Sequence, residues 1–127
     1  RLHKMRILRS VRHKSCADGS LMKEFLLSEP VPSGFFSYLE NFGGVEALPN
    51  LGEGFYKFEK PDWFSIKGLA GDTTVEVRFK KEVMHLTVDF LYFLISAYRE
   101  GPVDLSVLKQ REQAVGKRVR EHLYGHD

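Results

Sequence analysis

Apolar positions in the middle of the chain recur with a period of two. Residues 55–60, 63–69 and 73–80 are rich in aromatic and β-branched side chains, and Pro61-Asp62 and Ala70-Gly71-Asp72 separate them. Such residues favour strands, and such separators favour turns. The three runs predict an antiparallel meander. In the third, Val75, Val77 and Phe79 alternate with Thr74, Glu76, Arg78 and Lys80, as in a sheet with one face on a core and the other toward water. Tyr56, Phe58, Phe64 and Ile66 point inward on the same reading, and Trp63 falls on the opposite face.

After residue 82 the period becomes 3.6. Val83, Leu86, Phe90, Leu91, Leu94 and Tyr98 form a helical stripe that Val88, Phe93, Ile95 and Ala97 widen, so a largely buried helix is predicted over 83–99. Gly101-Pro102 closes it. Asp104 is a candidate cap for a last helix over 104–124, with Leu105, Leu108, Val115, Val119 and Leu123 on one face and Gly125 at its stop.

The first half is less regular. Residues 5–12 read as a strand with Met5, Ile7 and Val11 on one side. Ser20 followed by Leu21, Met22, Phe25 and Leu26 reads as a short capped helix to about residue 28. Beyond Pro30 and Pro32, Ser33 can cap a second helix through Phe36, Tyr38, Leu39 and Phe42, ended by Gly43-Gly44. Residues 44–54 hold three glycines and Pro49 and read as a loop. The predicted order is β-α-α-β-β-β-α-α. It implies a single α+β domain over residues 1–127, two layers deep, with a three- to four-stranded antiparallel meander packed on one face by helices.

Composition supports a folded chain: 127 residues, 43% hydrophobic and 28% charged, with 10 Phe, 5 Tyr and 1 Trp. Sixteen aromatics are more than one small core is expected to hold, so an exposed aromatic patch is expected, with Trp63, Tyr92 and Phe93 as partner-binding candidates. The single Cys cannot form an internal disulfide or a Cys-based zinc site, which points to a reducing, cytoplasmic setting. Residues 88–97 are about half the roughly 20 a bilayer span needs, and the basic start lacks the apolar stretch of a secretory signal. A soluble protein with no membrane partner is expected.

The net charge of +2 hides a segregation. Residues 1–14 carry six basic groups and no acid, and residues 109–127 carry five basic groups against three acids. Removing these from the totals of 19 and 17 leaves 8 basic and 14 acidic residues in the middle, a net of −6. Arg6, Arg9, Arg12, Lys117, Arg118 and Arg120 are therefore candidates for a phosphate-binding patch on nucleic acid.

Three further groups carry chemistry. Cys16 lies near His13 and Lys14 and just before the expected helix, an arrangement that favours a thiolate. Glu82, His85 and Asp89 share a helix side at Glu-x-x-His spacing, which a solvent-facing stripe explains without a metal. His122 and His126 stand four apart beside Asp127, but Gly125 separates them. No Gly-rich phosphate loop, nucleophile elbow or zinc-protease motif is present. The chain implies no cofactor and no metal, and reads as a non-catalytic interaction module or subunit of a homo- or hetero-oligomer. The alternatives are a nucleic-acid binder using its basic ends, and an enzyme or small-ligand protein with a pocket near the 44–54 loop.

Overall fold

The computed structural model describes residues 4–125, and these build a six-stranded antiparallel sheet with its helices on one side. The strands are β1 (Ile7–Ser15), β2 (Leu21–Leu27), β3 (Gly44–Ala47), β4 (Phe55–Lys60), β5 (Phe64–Leu69) and β6 (Thr74–Phe79). The helices are α1 (Phe35–Leu39), α2 (Met84–Ser96) and α3 (Ser106–Tyr124), with 3-10 turns at Pro49–Leu51 and Lys81–Val83. Across the sheet the order is β1-β2-β6-β5-β4-β3. The α+β class is as expected, and the sheet is wider than the predicted three or four strands.

The meander forms because its alternation is uninterrupted within each run. Register sets Phe58 opposite Ile66 and Ile66 opposite Val77, so one apolar row crosses three strands. With Phe25, Val75 and Phe79 it makes the floor of the core, and Phe90, Leu91, Leu94 and Ile95 of α2 lie on it. Phe35, Phe36 and Leu39 of α1 fill the same layer, and α3 closes over Trp63 with Leu108 and Val119 buried.

Two of the expected elements are corrected. Residues 21–27 are a strand, not a helix. The deciding signal is Asp18-Gly19. Gly19 takes a φ of +88°, and the Cys16 N–H donates to the Ser20 carbonyl at 2.9 Å, closing a three-residue hairpin loop of the kind that favours glycine at its left-handed position. Ser20 therefore does not cap a helix; its N–H and hydroxyl both donate to Asp18 Oδ1. Leu21 and Phe25 match helical spacing only because both faces of β2 bury apolar groups, Phe25 and Leu27 in the core and Met22 outside it. The second correction is β3, which lies within the expected loop. Gly43 admits it: a Cβ there would sit 2.5 Å from the Glu59 carbonyl oxygen, so only glycine lets the chain enter beside β4. The observed order of regular elements is thus β-β-α-β-β-β-β-α-α.

Three smaller differences follow from local chemistry. The second helix shrinks to α1, with no side-chain cap. Asp104 Oδ1 accepts from the N–H and hydroxyl of Ser106, just ahead of α3. Trp63 is 7% exposed and not outward-facing. Pro61-Asp62, with Asp62 at φ +74° and the Trp63 N–H donating to the Lys60 carbonyl, is a tight turn that interrupts the alternation. It folds the indole back over the end of the sheet, 5.3 Å from the Phe90 ring.

A buried ion pair fastens that end. Lys60 Nζ donates to Glu112 Oε2 of α3 at 2.5 Å and to the Phe42 carbonyl at 2.7 Å, and it lies 4.4 Å from the Trp63 ring. Lys109 bonds the neighbouring Asn41 carbonyl and approaches Glu112 Oε1 at 3.5 Å. Carbonyls just past α1 thus receive two ammonium donors, the favourable charge for a helix C-terminal end.

Candidate functional site

All three helices lie on or above the core face, so residues of opposite parity form an open face. Charged side chains dominate it. Lys67 Nζ stands 3.8 Å from Glu76 Oε2, Arg78 Nε donates to the same oxygen at 3.2 Å, Lys57 meets Glu59 at 3.4 Å, and Arg12 meets Glu24 at 3.4 Å. Glu76 holds the Arg78 guanidinium more firmly protonated, and the two Ser20 bonds hold the Asp18 carboxyl below the usual range. These are solvent-accessible bridges, each contributing little to stability.

Over this face runs a trough of about 750 Å³. Leu48 and Leu51 border it at one end; Asp18 and Lys80 to Glu82 border the other. The loop at 44–54 thus does edge a concavity. Its lining carries six cations and five carboxylates, a near balance that gives a polyanion little net attraction. Small-molecule sites are mostly apolar with a few converging polar groups, whereas charged residues make up most of the lining of this broad trough.

The other candidate residues are scattered. Arg6, Arg9 and Arg12 are exposed along the edge strand β1 and its approach, together with Lys14. Lys117, Arg118 and Arg120 belong to α3, near Trp63 and the β4–β5 turn. β5 is three places from β1 in the sheet, about 14 Å at the usual strand spacing, so the two basic stretches form separate surfaces. Tyr92 is 42% exposed with its ring edge on Phe25 at 5.9 Å, and Phe93 is half-buried beneath the Arg111 guanidinium. With Trp63 inside, the three expected partner residues do not form one aromatic patch. The aromatics pack instead into a continuous cluster of rings through Phe35, Tyr38, Phe42, Phe90 and Trp63.

Cys16 is half-buried, and Arg78 Nη1 lies 3.6 Å from its sulfur. A hairpin loop follows it, so the expected helix N-terminus is absent. Glu82, His85 and Asp89 lie along the solvent side of the 81–96 segment. His85 meets His122 of α3 ring to ring at 5.3 Å; His126 and Asp127 lie outside the described residues. Among the described residues no group of three or more His, Cys, Asp or Glu could hold a metal ion, and no helix is long and apolar enough to cross a membrane.

Comparison of the chain with protein-family models, with curated proteins and with solved structures finds no match.

Proposed function

We propose that the chain is a non-catalytic interaction module that presents the open face of its sheet to a protein partner. The observation that carries this reading is the asymmetry of the layers: a six-stranded sheet has helices on one side only, and its bare side is a broad array of both charge signs. Mixed charges in fixed positions select a partner by complementarity and speed encounter. Support comes from this face and not from surplus aromatics, most of which pack into the core while the exposed Tyr92 and Tyr124 form no patch with Trp63.

A photoreactive residue at Glu59, exposed on the open face, tests it against one at Gln113 on the outer side of α3. A discrete protein adduct from position 59, absent from 113 and lost when Glu76→Lys is added, supports the reading. No adduct from 59, or the same adducts from both positions, overturns it.

A second reading, nucleic-acid binding, is favoured by one observation: the exposed strand β1 carries Arg9, Arg12 and Lys14 with no acid among its residues. It requires affinity for generic RNA or DNA that falls steeply with salt; no binding at low salt removes it.

A further inference from the structure

The register of the sheet aligns one charged residue from every strand in a single row across the open face. Glu46 stands opposite Lys57, Lys57 opposite Lys67, Lys67 opposite Glu76, Glu76 opposite Glu24, and Glu24 opposite Arg12. From β3 to β1 the signs run − + + − − +. Read backward, they run + − − + + −, opposite in sign at every place. A row with this property is complementary to itself after a half turn.

From this we infer that the occupant of the open face is a second copy of the same chain, docked face to face about a twofold axis parallel to the strands between β5 and β6. This deepens the reading proposed above and rests on it. The rotation sets Glu46 over the other copy's Arg12, Lys57 over its Glu24 and Lys67 over its Glu76, each pairing occurring twice. A twofold axis along the row would instead set every charge over its own like. The sign pattern therefore selects one of the two face-to-face arrangements.

The same pattern accounts for an oddity within one chain. Lys57 beside Lys67, and Glu76 beside Glu24, are like charges on directly paired strands, an unfavourable placement in a sheet. Ion pairs to Glu59, Arg78 and Arg12, and between Lys67 and Glu76, offset part of this within one chain; in the pair of copies the two lysines of one chain also lie over the two carboxylates of the other, which offsets more of it. The neighbouring rows fit as well. On one side Phe55 pairs with Leu69 and Leu26 with Thr74, so the half turn brings Phe55 over Leu26. On the other, Glu59 comes over the strand position of Met22 and Arg78 over that of Ser65, two side chains already buried within one copy, so no like charges meet.

The contact is small, and area alone does not fix affinity. Five strand spacings by six residues give a footprint of about 500 Å² per copy, so the pair buries about 1,000 Å², the low end for a specific interface. Facing sheets lie about 10 Å apart, within the combined reach of a lysine and a glutamate. Their strands cross at about −30°, so alignment is best at the axis, where Lys67 and Glu76 sit. The expected dimer is of micromolar strength, wet, and weakened by salt.

Sedimentation equilibrium of the whole chain, over a concentration series at low and high salt, tests this with variants at the axis. Wild type should dimerise reversibly and lose at least tenfold in affinity as salt rises. Lys67→Glu alone and Glu76→Lys alone should each be monomeric, because each sets like over like. Mixing the two single variants should restore a one-to-one dimer, and the double variant Lys67→Glu with Glu76→Lys should dimerise again. Circular dichroism confirms that each variant is folded. Two results overturn the inference: a monomeric wild type at every soluble concentration, or a dimer that ignores both single variants and shows no rescue. A monomeric wild type together with a Glu59 adduct to a different protein would overturn the second copy and leave the interaction reading standing, while no adduct of any kind removes both.

Discussion

Replacing Glu112 with leucine should destabilise the fold by about 2–3 kcal/mol. In the native state its Oε2 accepts from Lys60 Nζ at 2.5 Å, and the two side chains are only 20% and 10% exposed. Removing one member of a fully buried pair costs about 3–5 kcal/mol, because the other charge is left in a low-dielectric site. Here the lysine keeps the Phe42 carbonyl at 2.7 Å and the face of Trp63, and a little water reaches it, which brings the expected cost below that range. The reverse change, Lys60→Met, should cost less, about 1 kcal/mol. Glu112 retains Lys109 at 3.5 Å and more solvent, and the thioether can lie on the indole as the ammonium does.

The double variant Lys60→Met with Glu112→Leu decides between mechanisms. Both charges are then gone and neither is orphaned, so the loss should be about 1 kcal/mol and the coupling between the sites about 2 kcal/mol. Urea denaturation followed by Trp63 fluorescence measures all four corners of the cycle. Glu112→Leu alone should also lower Tm by roughly 8–12 °C for a chain of this length. Single variants within about 0.5 kcal/mol of wild type and additive in combination would refute the reasoning, since the pair would then act like an exposed surface bridge.

Three other expectations use the same denaturation assay. Gly43→Ala should cost about 3 kcal/mol, because its Cβ would lie 2.5 Å from the Glu59 carbonyl oxygen and 2.7 Å from the Phe58 ring; Gly44→Ala, with nothing within 4 Å, should stay within about 0.5 kcal/mol. Equal effects would mean the close approach of β3 to β4 is wrong. Thr87→Val should stabilise by about 1 kcal/mol, because Thr87 Oγ1 is buried without a hydrogen-bond partner; destabilisation would reveal a partner for the hydroxyl. Tyr38 donates its buried hydroxyl to the Leu94 carbonyl at 2.5 Å, so Tyr38→Phe should cost about 1 kcal/mol at neutral pH. Burial, with Tyr98 alongside, pushes the Tyr38 phenol well above its ordinary value. The fold therefore holds the neutral form. That contribution is complete below about pH 10, where the unfolded phenol titrates, and is lost as pH rises from there through the folded value. Above about pH 10 the wild type should lose stability more steeply than Tyr38→Phe, and parallel pH profiles would refute the assignment.

Much of the framework is legible in the chain because two periodicities are strong where they occur. The alternation of Val75, Val77 and Phe79, and the helical stripe from Val83 to Tyr98, each specify both an element and the face it buries. Failures concentrate where local chemistry outweighs period. Asp18-Gly19 is a hairpin signal, but Leu21, Met22, Phe25 and Leu26 also satisfy helical spacing, and a strand buried on both faces cannot be told from a short helix by period alone. Gly43-Gly44 ends one element and also begins another, because the glycines serve close approach to β4 as well as a helix stop. Trp63 is misplaced because alternation does not survive a tight turn. The open face is half legible: Glu76 and Arg78 declare themselves as outward residues, while the row they join depends on pairing β2 with β6, strands far apart in the chain.

That long-range pairing changes the electrical character of the face, not only its width. The four strands from β3 to β6 contribute Glu46, Lys57, Lys67 and Glu76, with signs − + + −. This shorter row reads the same in both directions, so a half turn between β4 and β5 would place like over like along its whole length. Adding the β1–β2 hairpin to the free edge of β6 brings Glu24 and Arg12 into line, shifts the midpoint to lie between Lys67 and Glu76, and converts a self-repelling row into a self-complementary one. The N-terminal segment thus does two things at once. Phe25 and Leu27 extend the core beneath it, and on the proposed reading the two charges it adds to the row, Glu24 and Arg12, set which surface the opposite face meets. A sheet needs only the first for stability; the second is a constraint on sign and register that folding alone does not impose, and it is the strongest reason to look for function on that face.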